Sequence, residues 1–277
     1  MHWLRFILSY SIFASLCAVA LCYQTFILLH VEPDLVLHAF VFFATLSSYN
    51  FYWLLSKYSF NKRRSLPDFL RSNHWYVLLF TAAGLGMICC LYFIPHIKIH
   101  VAVAIALTLA YSMPLWPFAW ARHLRRAGVL KTILLAFTWA YVTVIIPGAP
   151  LLATEPAPVL SLAIARFFFV GMLCVIFDRR DIAVDESHAI HSIATDLSKA
   201  TLNKLMLLAF VIYQAAGLLV RYHFSDEYQF AAFIITGFVV GWVYLLSLKP
   251  RGYLFYYFVV DGLMIFSAVA TFVAHLF

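Results

Sequence analysis

An all-α polytopic membrane protein with nine transmembrane helices is the fold class that the sequence predicts, and three observations predict it. The 277 residues are 65% hydrophobic and only 11% charged, far from the roughly 45–50% apolar and 25% charged of soluble domains. Apolar runs of about 20 residues, the length that spans a bilayer, recur along the chain. Lys and Arg are segregated between alternate loops, as the positive-inside rule requires of a chain that crosses a membrane repeatedly. An ordinary soluble enzyme, a disordered chain and a secreted disulfide scaffold are all excluded by this composition.

Read for runs of spanning length, the chain yields helices at about 4–29, 35–56, 75–95, 97–118, 129–152, 158–177, 202–220, 229–248 and 253–276. The first run follows Arg5 and is too long for the apolar region of a signal peptide. With nine helices, 16 of the 19 basic residues fall at the N-terminus or on odd-side connections (57–74, 119–131, 178–204 and 249–252). The opposite side holds Lys98 and Arg221, and Arg166 lies within a helix. This split predicts a multi-pass integral membrane protein with a cytoplasmic N-terminus and the C-terminus on the opposite side. It also accounts for the net charge of +7 without a nucleic-acid partner. No Gly/Ser linker or low-complexity stretch interrupts the chain, so residues 1–277 read as a single membrane domain. The five cysteines lack metal or redox spacing and read as small buried hydrophobes.

Five of the twelve acidic residues, Asp178, Asp181, Asp185, Glu186 and Asp196, crowd the third large loop on the basic side. Asp178, Asp181 and Asp185 form a D-x-x-D-x-x-x-D pattern. If the sixth helix continues past the membrane face, these i, i+3 and i+7 positions share one side of it. Carboxylates converging there repel one another unless a cation lies between them. Mg²⁺ takes oxygen ligands and binds through carboxylates together with substrate phosphates. The bland alternative is a solvated loop whose acids offset Arg179 and Arg180.

With this cluster the sequence resembles the UbiA-type superfamily of intramembrane prenyltransferases. Those are nine-helix bundles in which two Asp-rich motifs bind a prenyl diphosphate through Mg²⁺. Asp178-x-x-Asp181-x-x-x-Asp185 is similar to the second motif. The run from His191 to Ser198 is similar to the segment that follows it. Tyr111-Ser112-Met113-Pro114, followed by Leu124-Arg125-Arg126-Ala127-Gly128-Val129-Leu130-Lys131, resembles the family's Tyr-(Ser/Thr)-x-Pro segment and basic diphosphate-binding loop. The first motif departs: Asn50 matches its asparagine, but Phe51, Leu54 and Tyr58 stand where its acids belong.

The resemblance implies a UbiA-like helical bundle that transfers a prenyl group from a prenyl diphosphate to a lipophilic or aromatic acceptor in the bilayer. It implies a reduced, Mg²⁺-assisted site in which Asp178, Asp181 and Asp185 hold the metal and act in catalysis. Asn50, Tyr111, Arg125, Arg126 and Lys131 would bind substrate. The alternative it leaves open is a catalytically inactive homologue that binds an isoprenoid or assists a partner enzyme.

Three further features were weighed from the residues alone. Asp261, about nine residues into the ninth helix, is a buried acid of the kind that marks intramembrane sites, a second substrate-binding candidate; Arg166 is a candidate partner. A third reading, a small transporter, would use these two charges. His188 and His191 stand at i, i+3 without a metal-site signature. Tyr49, Phe51, Tyr52, Trp53, Trp116, Trp120 and Phe167–Phe169 are candidates for an isoprenoid tunnel or for plain packing.

Overall fold

The computed structural model describes residues 2–60, 65–113, 128–187, 191–224 and 227–277. Among them there are helices, turns and no strand. The helices are α1 (His2–Ser9), α2 (Ile12–Leu28), α3 (Leu35–Phe60), α4 (Leu66–Ser72), α5 (His74–Phe93), α6 (Lys98–Ser112), α7 (Gly128–Ala140), α8 (Pro156–Ser187), α9 (Ile193–Asp196), α10 (Lys199–Phe224), α11 (Glu227–Ser247) and α12 (Asp261–Ala274). Among the described residues eight spans are long and apolar enough to cross a membrane. The α1–α2 pair, bent by 67°, makes a ninth if it is counted as one span.

The expected continuous first helix is therefore corrected to a broken one. Ser11 adopts φ 62°, the left-handed region in which a right-handed helix cannot propagate. A break exposes backbone carbonyls that must be satisfied inside the protein when no water is at hand. Asn50, fully buried, donates its side-chain amide to the carbonyl of Tyr10 at 3.1 Å and to that of Leu46 at 2.8 Å. The other end of α2 closes conventionally. His30 has φ 51°, and the amides of His30 and Val31 return to the carbonyls of Ile27 and Phe26, a left-handed helix cap. Asp34 then caps α3, accepting from the amides of Val36 at 2.8 Å and Leu37 at 3.1 Å.

The largest other departures from the sequence reading fall in two spans. The helix expected over 129–152 ends as α7 at Ala140 and passes through a π turn, Tyr141–Ile145. Pro147 has no N–H to return to the Thr143 carbonyl. The Thr25 hydroxyl donates there instead, at 2.6 Å. The helix expected over 158–177 runs on to Ser187 as α8, because neither Gly nor Pro interrupts residues 178–187. The last span opens with a second π turn, Phe255–Val260, before α12. Residues 114–118, expected to finish the fourth helix, lie outside the described residues.

Read in sequence as one domain, the chain packs as two compact units. One comprises Met1–Val19 with Asp34–Arg125, the other Ala20–Pro33 with Arg126–Phe277. In the first, α3 packs along α5. Gly86 permits the approach: a Cβ there would sit 2.9 Å from the ring of Phe43. In the second, α8 packs against α7 and α10, and α11 against α10 and α12. The α8 side chains Leu162, Phe169, Met172 and Ile176 are almost wholly buried.

Several buried polar groups in the second unit answer one another. The Gln24 amide reaches the Ser267 carbonyl (3.1 Å), the Ser267 hydroxyl (2.9 Å) and the Thr271 hydroxyl (2.8 Å). Gln229 donates to the Thr271 carbonyl at 3.0 Å. All five cysteines are free; Cys89 is exposed, while Cys17, Cys22, Cys90 and Cys174 are buried. The start of α7 is fixed by a close crossing. A Cβ on Gly128 would strike the backbone of His191 and Ser192, with the Ser192 Cα at 2.6 Å. Ser192 itself forms a capping box with Thr195 at the head of α9.

Two substitutions test this packing. Gln24→Leu is expected to lower the unfolding free energy by about 1 kcal/mol, read as a shifted midpoint when the protein in mixed micelles is titrated with SDS. Gly128→Ala is expected to lower the thermal midpoint and raise amide hydrogen exchange over 191–198. Protection there equal to wild type would mean that this crossing does not hold the loop.

Candidate functional site

The Asp-rich segment is helical throughout, so Asp178, Asp181 and Asp185 do share one side of α8. Their side chains are held differently. Asp178 accepts a hydrogen bond from the Thr132 hydroxyl of α7 at 2.7 Å. Lys131, the residue before it, lies within electrostatic reach of the same carboxylate, as do Asp181 and Asp185. Asp185 is buried. Asp181 turns to its chain neighbour: Arg180 donates Nε–H and Nη2–H to the two carboxylate oxygens, each at 2.7 Å.

Arg180 is itself fixed by aromatic faces. Its guanidinium lies over Phe177 at 5.0 Å, Tyr256 at 5.2 Å and Tyr257 at 4.8 Å, within the range of cation–π attraction. Its remaining nitrogen, Nη1, is buried without a hydrogen-bond partner. Tyr256 and Tyr257 belong to the π turn that precedes α12. Such turns place side chains out of the ordinary helical register and are frequent at functional sites. Arg179, one position earlier on α8, points elsewhere. It donates to the Tyr244 hydroxyl at 3.4 Å, and that hydroxyl donates to Asn203 at 2.6 Å.

Asp261 joins this neighbourhood from α12. The charged group that bears on it is Arg180. Cys174, one turn before Asp178, feels Asp178, Lys131 and Asp261 together. The pairing of Asp261 with Arg166 weighed from the sequence is corrected. Arg166, only 3% exposed, sets Nη2 3.5 Å from the Thr25 hydroxyl, and its electrostatic neighbours are Tyr213 and Cys22.

The other sequence candidates are distributed differently. In the first unit the Asn50 amide bonds backbone carbonyls, and Tyr111 stacks on Tyr52 at 5.0 Å. Arg125 and Arg126 lie outside the described residues, as do His188, Trp116 and Trp120. His191 meets Asp196 at 2.6 Å, outside any metal constellation. Phe169 packs on Tyr213 within the core. The positions of the missing first-motif acids are filled by packing: Phe51 lies against Phe80 at 5.7 Å and Tyr58 against Phe69 at 5.3 Å. Thr132, Tyr256, Tyr257 and the anchoring role of Arg180 were missed by the sequence reading; no local pattern marks them, because tertiary packing brings them together.

Carboxylate oxygens on one helix face are the donor chemistry that Mg²⁺ takes, so the residues fit that ion in kind. As they stand, no three His, Cys, Asp or Glu side chains among the described residues converge closely enough to hold it. Both carboxylate oxygens of Asp181 are engaged by a cation of the protein's own.

No protein-family model and no curated protein sequence matches the chain. Solved structures match it in shape. A UbiA homologue from Aeropyrum pernix K1, solved in its apo form, aligns with a TM-score of 0.69 and 14% identity, covering 95% of this chain and 97% of that one. A digeranylgeranylglyceryl phosphate synthase aligns with a TM-score of 0.52 and 14% identity, covering 94% of this chain and 93% of that one. The apolar spans and these alignments together make the chain a multi-pass integral membrane protein with the helical fold of the UbiA homologue.

Proposed function

We propose that the protein is a UbiA-type membrane prenyltransferase, which transfers a prenyl group from a prenyl diphosphate to a lipophilic or aromatic acceptor delivered by the bilayer. The observation that carries this reading is the polar end of α8. There Asp178, Asp181 and Asp185 project from one side of a helix whose preceding turns are buried in apolar packing. Lys131 stands beside Asp178. That combination suits a ligand with an anionic head and a hydrocarbon tail. Asp178, Asp181 and Asp185 would hold Mg²⁺, and Arg125, Arg126 and Lys131 would add positive charge toward the diphosphate. Asp261, across from Arg180, is the acid placed to orient the head or the acceptor. The segregation of basic residues supports a cytoplasmic Asp-rich segment and N-terminus, with the C-terminus on the opposite side.

The parts of the reaction assigned to the protein follow from these positions. Mg²⁺ held by Asp178, Asp181 and Asp185 would supply positive charge toward the departing diphosphate. Thr132 fixes the Asp178 carboxylate by its hydrogen bond, so the charge is set before substrate arrives, which is how preorganised sites gain their effect. Lys131 adds a compact cation on the same side. The acceptor is the nucleophile that captures the allylic carbon as its bond to the diphosphate breaks.

A second reading, a catalytically inactive isoprenoid-binding homologue, is favoured by the aromatic packing of Phe51 and Tyr58 where a second set of acids would stand. One experiment separates the two. Detergent-purified protein is given a graded series of prenyl diphosphates with and without Mg²⁺, and binding and diphosphate release are followed. The enzyme reading expects release that requires Mg²⁺ and falls about 100-fold or more in Asp178→Asn. Binding without release in the presence of acceptors selects the inactive homologue. Absence of binding rejects both.

A further inference from the structure

On a helix, neighbours in sequence do not face each other, whereas residues three and four apart do. The two-pronged bond therefore engages both Asp181 carboxylate oxygens with a residue whose position is not on the side of α8 that carries Asp178, Asp181 and Asp185. The two partners are not equally free to move. Arg180 is held among three rings and its side chain is 23% exposed; Asp181 has no such cage and is 37% exposed. Arg180 is the more enclosed member of the pair.

We propose that Arg180 is a latch and a diphosphate-binding residue in one: it keeps Asp181 out of the metal-holding arrangement until a phosphate takes over its fork. This inference rests on the prenyl-diphosphate reading above and adds to it the residue that couples the two ligands. A guanidinium offers paired N–H groups that match phosphate as well as carboxylate. Arg180 presents Nε–H and Nη2–H to Asp181, and the Tyr257 hydroxyl stands against the same guanidinium. A diphosphate that engages Arg180 replaces the neutralising carboxylate with its own oxygens. The released Asp181 is then negatively charged on the same side of α8 as Asp178 and Asp185, and the triad is complete for a divalent cation. Substrate head and metal thus bind cooperatively, and the substrate-free protein holds metal weakly.

Mn²⁺, a paramagnetic stand-in for Mg²⁺, provides a readout independent of turnover. Full-length protein in detergent is titrated with Mn²⁺ and free ion is measured by electron paramagnetic resonance, for wild type, R180Q, R180K and the double variant R180Q/D181N. Folding of each is checked by gel filtration. The latch expects R180Q to bind Mn²⁺ about tenfold or more tightly than wild type without any diphosphate. R180K, which keeps a charge among the rings but loses the fork, gives a smaller gain in the same direction, and R180Q/D181N loses the gain. In parallel, the affinity for geranylgeranyl diphosphate is expected to fall about tenfold or more in R180Q. Equal Mn²⁺ affinity in wild type and in both single variants overturns the latch, as does the absence of Mn²⁺ binding in all of them. Failure of the prenyl-diphosphate reading is seen separately, as wild type that does not bind geranylgeranyl diphosphate at all.

Discussion

Helix α8 is gripped by α7 and α10, and its buried stripe of Leu162, Phe169, Met172 and Ile176 fixes the rotation of every residue after it. A helix that is free to turn presents no defined face, so three aspartates at helical spacing mean little by themselves. Here the stripe ends two residues before Asp178, and the helix runs on without a breaker to Ser187. The carboxylates inherit their direction from apolar packing deeper in the unit. The same rotation brings Asp178 to Thr132 and Arg180 to the rings of the last span.

A second constraint acts on the rest of the chain: backbone and polar side chains inside a membrane protein must find partners within the protein. Two irregularities come with their own answer. The break at Ser11 exposes the Tyr10 carbonyl, and Asn50 of α3 donates to it. Pro147 leaves the Thr143 carbonyl without its helical donor, and Thr25 of α2 supplies one. Gln24, in the preceding position, ties α2 to α12 through Ser267 and Thr271. Residues 24 and 25 thus face in different directions and satisfy different partners, which gives a short stretch of α2 two tasks within the second unit. The kinks of this protein arise where a side chain from another helix stands ready to replace the bond that the kink gives up.

Which of this was legible in the sequence follows from the range of the forces involved. Spans of twenty apolar residues are local, and hydropathy placed most of their ends within a few positions, the ends of the 129–152 and 158–177 runs excepted. The Asp triad was legible because helical periodicity relates its members across only seven residues. The break at Ser11 was not: serine inside an apolar run gives no warning, and the left-handed turn is held from outside by Asn50. Pro147 was a readable sign that the 129–152 run would not stay regular, but its consequence, a π turn answered by Thr25, depends on a contact between residues more than a hundred apart. Arg180 stayed hidden for a similar reason. In the sequence it is a basic residue beside an acid, and only the π turn of the last span, carrying Tyr256 and Tyr257, makes it a fixed cation.

The charge balance of the second unit connects these elements to the departure in the first. Phe51 and Tyr58 are packed against other rings, and the segment that aligns with the first Asp-rich motif adds no carboxylate there. In the second unit four acids, Asp178, Asp181, Asp185 and Asp261, stand near two cations, Lys131 and Arg180. A site reduced to one set of acids needs fewer cations, and it needs those of the protein to be well placed, since each carries a larger share of the field. A guanidinium caged by three rings and a lysine beside a hydrogen-bonded aspartate meet that requirement. Under the proposed reading, the lost acids and the anchored Arg180 are two sides of one adjustment: as the metal complement shrinks, the protein's own fixed cation takes on the contact with phosphate.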